Sequence, residues 1–153
     1  MRQKEMEILL VEDDPADAEL TTRSLLRHGR PAKIVHARDG AEALDYLFCR
    51  GPFSARNANQ QPSAVLLDLK LPRVTGQDVL KAIKADERTR CIPVIVMTSS
   101  NLERDLLECY RGGVNSYIQK PVDLSKFQEA VKQFGTYWLV VNHAPPESAS
   151  LPQ

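Results

Sequence analysis

Ala64-Val65-Leu66-Leu67-Asp68-Leu69-Lys70-Leu71-Pro72 is the stretch that decides the fold. Its first four residues are apolar without alternation and stop abruptly at a carboxylate. A short continuous apolar run of this kind predicts a strand covered on both faces, as in a parallel sheet. Parallel strands cannot be joined by tight hairpins; each needs a crossover, most often a helix. The reading therefore predicts strands and helices in alternation on either side of Asp68.

That alternation is present. Further strand-like runs lie at Ile8–Val11, Lys33–Ala37, Pro93–Met97 and Ser116–Gln119, the last more polar and suited to an edge. Between them, apolar residues recur at helical spacing. The stripes are Ala18, Thr21, Leu25 and Leu26; Ala43, Leu44, Leu47 and Phe48; Val79, Leu80 and Ile83; Leu102, Leu106, Leu107 and Tyr110; and Leu124, Phe127, Ala130, Val131, Phe134 and Trp138. Asp14-Pro15 predicts a helix start, since Asp caps N-termini and Pro suits the first helical position. Asp39-Gly40 separates the second strand from the second helix. Ser100 and Glu103 have capping-box spacing, and Gly112-Gly113 predicts a helix stop.

Five strands and five helices make a (βα)5 chain, which predicts an open, doubly wound parallel sheet with right-handed crossovers. The chain is too short for a (β/α)8 barrel, which takes about 200 residues or more. Residues 1–141 are read as one domain and residues 142–153, with three prolines and little to pack, as a disordered tail. Cys49–Ser63 reads as a polar loop longer than the usual connection of about 2–6 residues.

Lys plus Arg and Asp plus Glu each number 20, so no general attraction to nucleic acid or to an anionic membrane is expected. No spanning helix or signal segment is evident, and three cysteines without a C-x-x-C pair argue against a disulfide framework or zinc site. These features predict a cytoplasmic protein. His28, His36 and His143 show no ligand spacing and are given no role.

In such a sheet, ligands bind at the carboxyl ends of the strands. The residues falling there are Glu12-Asp13-Asp14, Asp68, Thr98-Ser99-Ser100 and Lys120-Pro121. Crowded carboxylates repel one another, and a hard divalent cation with oxygen ligands relieves that repulsion. Such a site has the means to hold Mg²⁺ and a phosphoryl group, with one carboxylate as nucleophile. Asp14 is read as a helix cap instead.

The motifs Ile8-Leu-Leu-Val-Glu-Asp-Asp-Pro15, Leu66-Leu-Asp-Leu-Lys-Leu-Pro72 with Gly76, Val96-Met-Thr-Ser99 and Tyr117-Ile-Gln-Lys-Pro121 together resemble a response-regulator receiver domain from about Glu7 to Trp138. The resemblance implies the flavodoxin-like strand order 2-1-3-4-5. It implies Asp68 as phosphoacceptor, Asp13 as a Mg²⁺ ligand, Glu12 as a ligand through water, and the Lys70 carbonyl as a further ligand. Thr98 and Lys120 would contact the phosphoryl group, and Thr98 and Tyr117 would act as the switch pair. Catalysis would be confined to the domain's own phosphorylation and dephosphorylation. Lys70 and Ser100, two residues after Asp68 and Thr98, offer no side chain suited to orient a hydrolytic water, so a long-lived aspartyl phosphate is expected.

The partner implied is a histidine kinase. The long loop and the extended aromatic last helix resemble the response regulators of bacterial phytochromes, which implies a phytochrome-type kinase. That last helix also predicts a homodimer. A dehalogenase-type phosphatase would need a second Asp where Lys70 stands. The alternative is a receiver-fold interaction module that is never phosphorylated.

Overall fold

The computed structural model describes residues 6–27, 32–99, 103–114 and 116–119. The elements run β1 (Met6–Val11), α1 (Pro15–Arg27), β2 (Ala32–Ala37), α2 (Gly40–Leu47), β3 (Ala64–Leu67), α3 (Gly76–Ala85), β4 (Val94–Thr98), α4 (Glu103–Arg111) and β5 (Ser116–Gln119). All pairings are parallel and the sheet order is β2-β1-β3-β4-β5. The predicted (βα)5 sheet is thus present through β5. The fifth helix, the tail and the Ser100 cap lie outside the described residues.

The strands are apolar throughout because both faces are covered. Alternate strand residues point to opposite sides. Leu9, Val11, Val65, Leu67, Val94 and Val96 pack with Leu47, Val79, Leu80, Ile83 and Cys109 from α2, α3 and α4. Ile8, Leu10, Leu66, Ile95 and Met97 form the other core with Ala18 of α1. The buried Leu, Ile and Met side chains among these contribute about 2–5 kcal/mol each, as judged by truncation to Ala.

Helix starts follow local chemistry. The Asp39 carboxylate accepts from the Glu42 N–H at 2.7 Å and caps α2. The Thr75 hydroxyl accepts from the Asp78 N–H, while Asp78 accepts from the Thr75 N–H, which closes a capping box on α3. Gly113, at φ +94°, follows α4 in the left-handed conformation that suits a helix stop.

The long polar loop is present and is held by specific contacts. Gly51–Phe53 form a 3-10 turn. The Phe53 ring meets Tyr46 edge-on at 5.2 Å, and the Arg56 guanidinium stacks 3.7 Å above the same ring. Arg56 also donates to the Tyr46 and Gln60 carbonyls, and Gln61 donates to the Leu47 carbonyl. The loop is therefore stapled to α2 by an aromatic residue and an arginine.

Candidate functional site

Two adjacent parallel strands build the site. Val11 of β1 and Leu67 of β3 are register partners, so Glu12 and Asp68 leave the sheet side by side. The Asp68 N–H still donates to the Val11 carbonyl at 3.1 Å, and the Glu12 N–H donates to the Ala37 carbonyl of β2 at 3.0 Å. Both residues are nearly buried, at 4% exposure for Glu12 and 7% for Asp68. β2 lies on one side of β1 and β3 on the other, so this is where crossover direction reverses and the edge opens a crevice.

Beyond β1 the chain turns into α1. The Asp14 carboxylate accepts from the Ala16 N–H at 2.9 Å and from the Asp17 N–H at 3.4 Å. Asp14 therefore caps the helix as expected, which leaves Glu12 and Asp13 for the site. His36 of β2 donates through Nε2 to the Glu12 carbonyl at 2.7 Å. A carbonyl only accepts, so the imidazole carries its proton on that nitrogen. The sequence reading gave His36 no role; a strand histidine without ligand spacing offered no signal.

Beyond β3 the chain wraps around Asp68. The Lys70 N–H donates to Asp68 Oδ1 at 2.9 Å, an Asx turn that fixes the carboxylate's orientation. Leu69 and Leu71 are buried and hold the loop down. The Gly76 N–H donates to the Leu69 carbonyl at 3.1 Å. A Cβ on Gly76 would meet the Asp68 carbonyl oxygen at 2.4 Å and Leu69 Cα at 2.5 Å, so only glycine lets α3 start so close to the acid. Arg73 sits at φ +66° in the same loop, a conformation L-residues seldom adopt.

Carboxylate oxygens of Glu12, Asp13 and Asp68 lie within 4.8 Å of one another. Two of the acids are buried and Asp13 is exposed. Three hard oxygen donors at one crevice, one of them open to solvent, fit a small divalent cation that retains water. Thr21 and Met97 line a small cavity beside the two buried acids. Thr21 is buried on α1 with Ala18, whereas Leu26 of the same stripe is exposed.

Thr98 ends β4, beside β3, with Gln119 of β5 as its register partner. Its backbone thus lies on the same sheet edge as the acids. Tyr117 pairs in register with Val96 on β5. Lys120 lies outside the described residues, as does the apolar run 124–141 to which a dimer contact was assigned.

The model of the response regulator receiver domain matches residues 8–132. The chain is 43% identical over 138 residues to the probable methanogenesis regulatory protein FilR2 of Methanothrix harundinacea, covering 90% of this chain and 86% of that protein. It is 34% identical over 132 residues to the response regulator Rcp1 of Synechocystis sp., covering 86% and 88% respectively. Among solved structures it resembles the phosphorylated cyanobacterial phytochrome response regulator RcpA, with a TM-score of 0.87 at 36% identity over 94% of this chain and all of that one. The Mn²⁺-bound form of Rcp1 gives the same TM-score at 33% identity, covering 92% and 99%. With a matching domain over most of its length and a receiver sheet whose acids meet at the switch point, the chain belongs to the response regulator receiver domain family of two-component systems.

Proposed function

We propose that this chain is a phosphoacceptor: Asp68 takes a phosphoryl group from a partner histidine kinase, and the modified domain signals through protein contacts. The observation that carries the reading is the meeting of Glu12, Asp13 and Asp68 within 4.8 Å, with Asp68 held by the Lys70 N–H. An Asp68 carboxylate oxygen bonds to the phosphorus of a phosphohistidine, and the P–N bond breaks with its electron pair returning to the imidazole.

Glu12, Asp13, Asp68 and the Lys70 carbonyl would hold one Mg²⁺, which when bound offsets their mutual repulsion and neutralises charge on the transferred group. The buried backbone around Asp68 keeps the nucleophile in place without reorganisation. Thr98 and Lys120 are assigned to the phosphoryl oxygens, and Thr98 with Tyr117 to the conformational response. The likeness to phytochrome response regulators favours a phytochrome-type kinase as donor. Among the described residues no helix is long and apolar enough to cross a membrane.

Incubation with acetyl phosphate and Mg²⁺, followed by intact mass measurement, tests the proposal. One added phosphoryl group, lost with EDTA and in Asp68→Asn, is the expected result. No addition to folded protein would overturn it in favour of a phosphorylation-independent interaction module.

A further inference from the structure

We infer that His36 is a positioning residue for the cation site, acting through the peptide that joins Glu12 to Asp13. This rests on the reading of the acid cluster as a divalent-cation site and adds a residue to it.

β2 holds Glu12 at both of its backbone polar groups. The Glu12 N–H donates to the Ala37 carbonyl at 3.0 Å, the last rung of the β1–β2 ladder. Beyond it, the Glu12 carbonyl accepts a hydrogen bond from His36 Nε2, with the nitrogen and oxygen 2.7 Å apart. A side chain thus continues the ladder by one more hydrogen bond.

The consequence follows from the planarity of the peptide unit. The Glu12 carbonyl and the Asp13 N–H belong to one rigid plane. Holding its oxygen fixes ψ of Glu12 and φ of Asp13 together, and these angles set where the Asp13 side chain leaves the chain relative to Glu12. Asp13 is exposed, whereas Glu12 is buried. Beside the Asp14 N–H that reaches the Glu12 carboxylate at 3.4 Å, the hydrogen bond from His36 is therefore a restraint that keeps Asp13 aimed at Asp68 rather than at open solvent. Partners that orient ligands in this way commonly alter metal affinity by about tenfold or more when removed.

The reach of the side chain makes the idea specific. The Gln amide nitrogen stands about as far from Cα as His Nε2 and can donate the same bond; the Asn amide is one methylene shorter and cannot. Mn²⁺ affinity of the full chain, measured from the free-ion paramagnetic resonance signal, should fall about tenfold in His36→Asn and His36→Leu. His36→Gln should stay within about threefold of wild type, by the same reasoning. Thermal unfolding of each metal-free variant reports whether it folds; should His36→Leu fail to fold, the Gln and Asn pair decides.

Folded His36→Asn binding Mn²⁺ as wild type does would overturn the inference, as would His36→Gln binding as weakly as His36→Asn. Wild type failing to bind Mn²⁺ would instead bring down the cation-site reading itself, and this inference with it.

Discussion

Gly76→Ala sets two physical effects against each other. Gly76 is the first residue of α3, so alanine carries no conformational penalty there and gains up to about 1 kcal/mol in helix propensity. Fewer unfolded conformations add to the same side. Against this, the new Cβ would stand 2.4 Å from the Asp68 carbonyl oxygen and 2.5 Å from Leu69 Cα, about 1 Å inside ordinary contact. Both atoms are backbone, and Leu69 is buried beside them, so neither can swing aside as a side-chain tip would. Overpacking of this kind costs about 1–3 kcal/mol, and a clash with two backbone atoms belongs at the upper end. The net expectation is a loss of about 2 kcal/mol, or a drop in Tm of roughly 4–8 °C for a domain of this length. The site should suffer more than the fold. Moving Asp68 by about 1 Å relative to Glu12 and Asp13 is enough to slow phosphorylation by about a hundredfold. Calorimetric melting and the initial rate of labelling by acetyl phosphate read the two effects. Gly112→Ala is the comparison: its Cβ meets the flexible end of Leu80 at 2.9 Å, and the Glu108 carbonyl no closer than 3.2 Å, so it should melt closer to wild type. A Gly76→Ala protein as stable and as quickly phosphorylated as wild type would refute the reasoning.

Two further outcomes follow from buried groups. Burial pushes the Cys109 thiol up to about 11, helped by Asp105 and Glu108, and Cys109 is fully buried while Cys49 and Cys91 are partly exposed. At pH 8 a chromogenic disulfide reagent should therefore label two thiols of the native protein and three after denaturation; three at equal rates in the native state would contradict the packing of α4. Tyr46 is raised from 10.0 to about 12, first by burial and then by its hydrogen bond to Glu7. A folded-state pKa above the unfolded one means stability fully present below pH 10 and lost progressively between about pH 10 and pH 12. Tyr46→Phe should flatten that decline in an alkaline unfolding series, and an unchanged slope would count against the network that holds the long loop.

The parts of the molecule legible in the sequence are those whose cause is local. Ala64–Leu67 has no polar position because both sheet faces are covered, so the run declares a central parallel strand on its own. Asp14, Asp39 and Gly113 declare helix ends because capping is decided within a few residues. The Thr75–Asp78 box was equally local, and Thr75-Gly76-Gln77-Asp78 carried the signal, although an acid at the third helical position is a shorter variant of the usual Glu. The long loop is legible as a loop, but the contacts that hold it are not. Its polarity gives no sign of Arg56 reaching back across Tyr46, a contact between residues ten apart that no periodicity records.

The acids show the same division from the other side. Glu12 and Asp68 could be placed on one edge because parallel strands force their ends together. Part of what holds them is local, as with the Lys70 N–H on Asp68, and part is not: a glycine eight residues past Asp68 lets α3 start against its carbonyl, and a histidine 24 residues past Glu12 donates to the carbonyl that the ladder leaves over. Strand ends thus bring the charges together, while contacts from residues both near and remote in sequence surround them. On the reading proposed above, it is these contacts that separate an acidic turn from a site able to hold a cation in a fixed geometry.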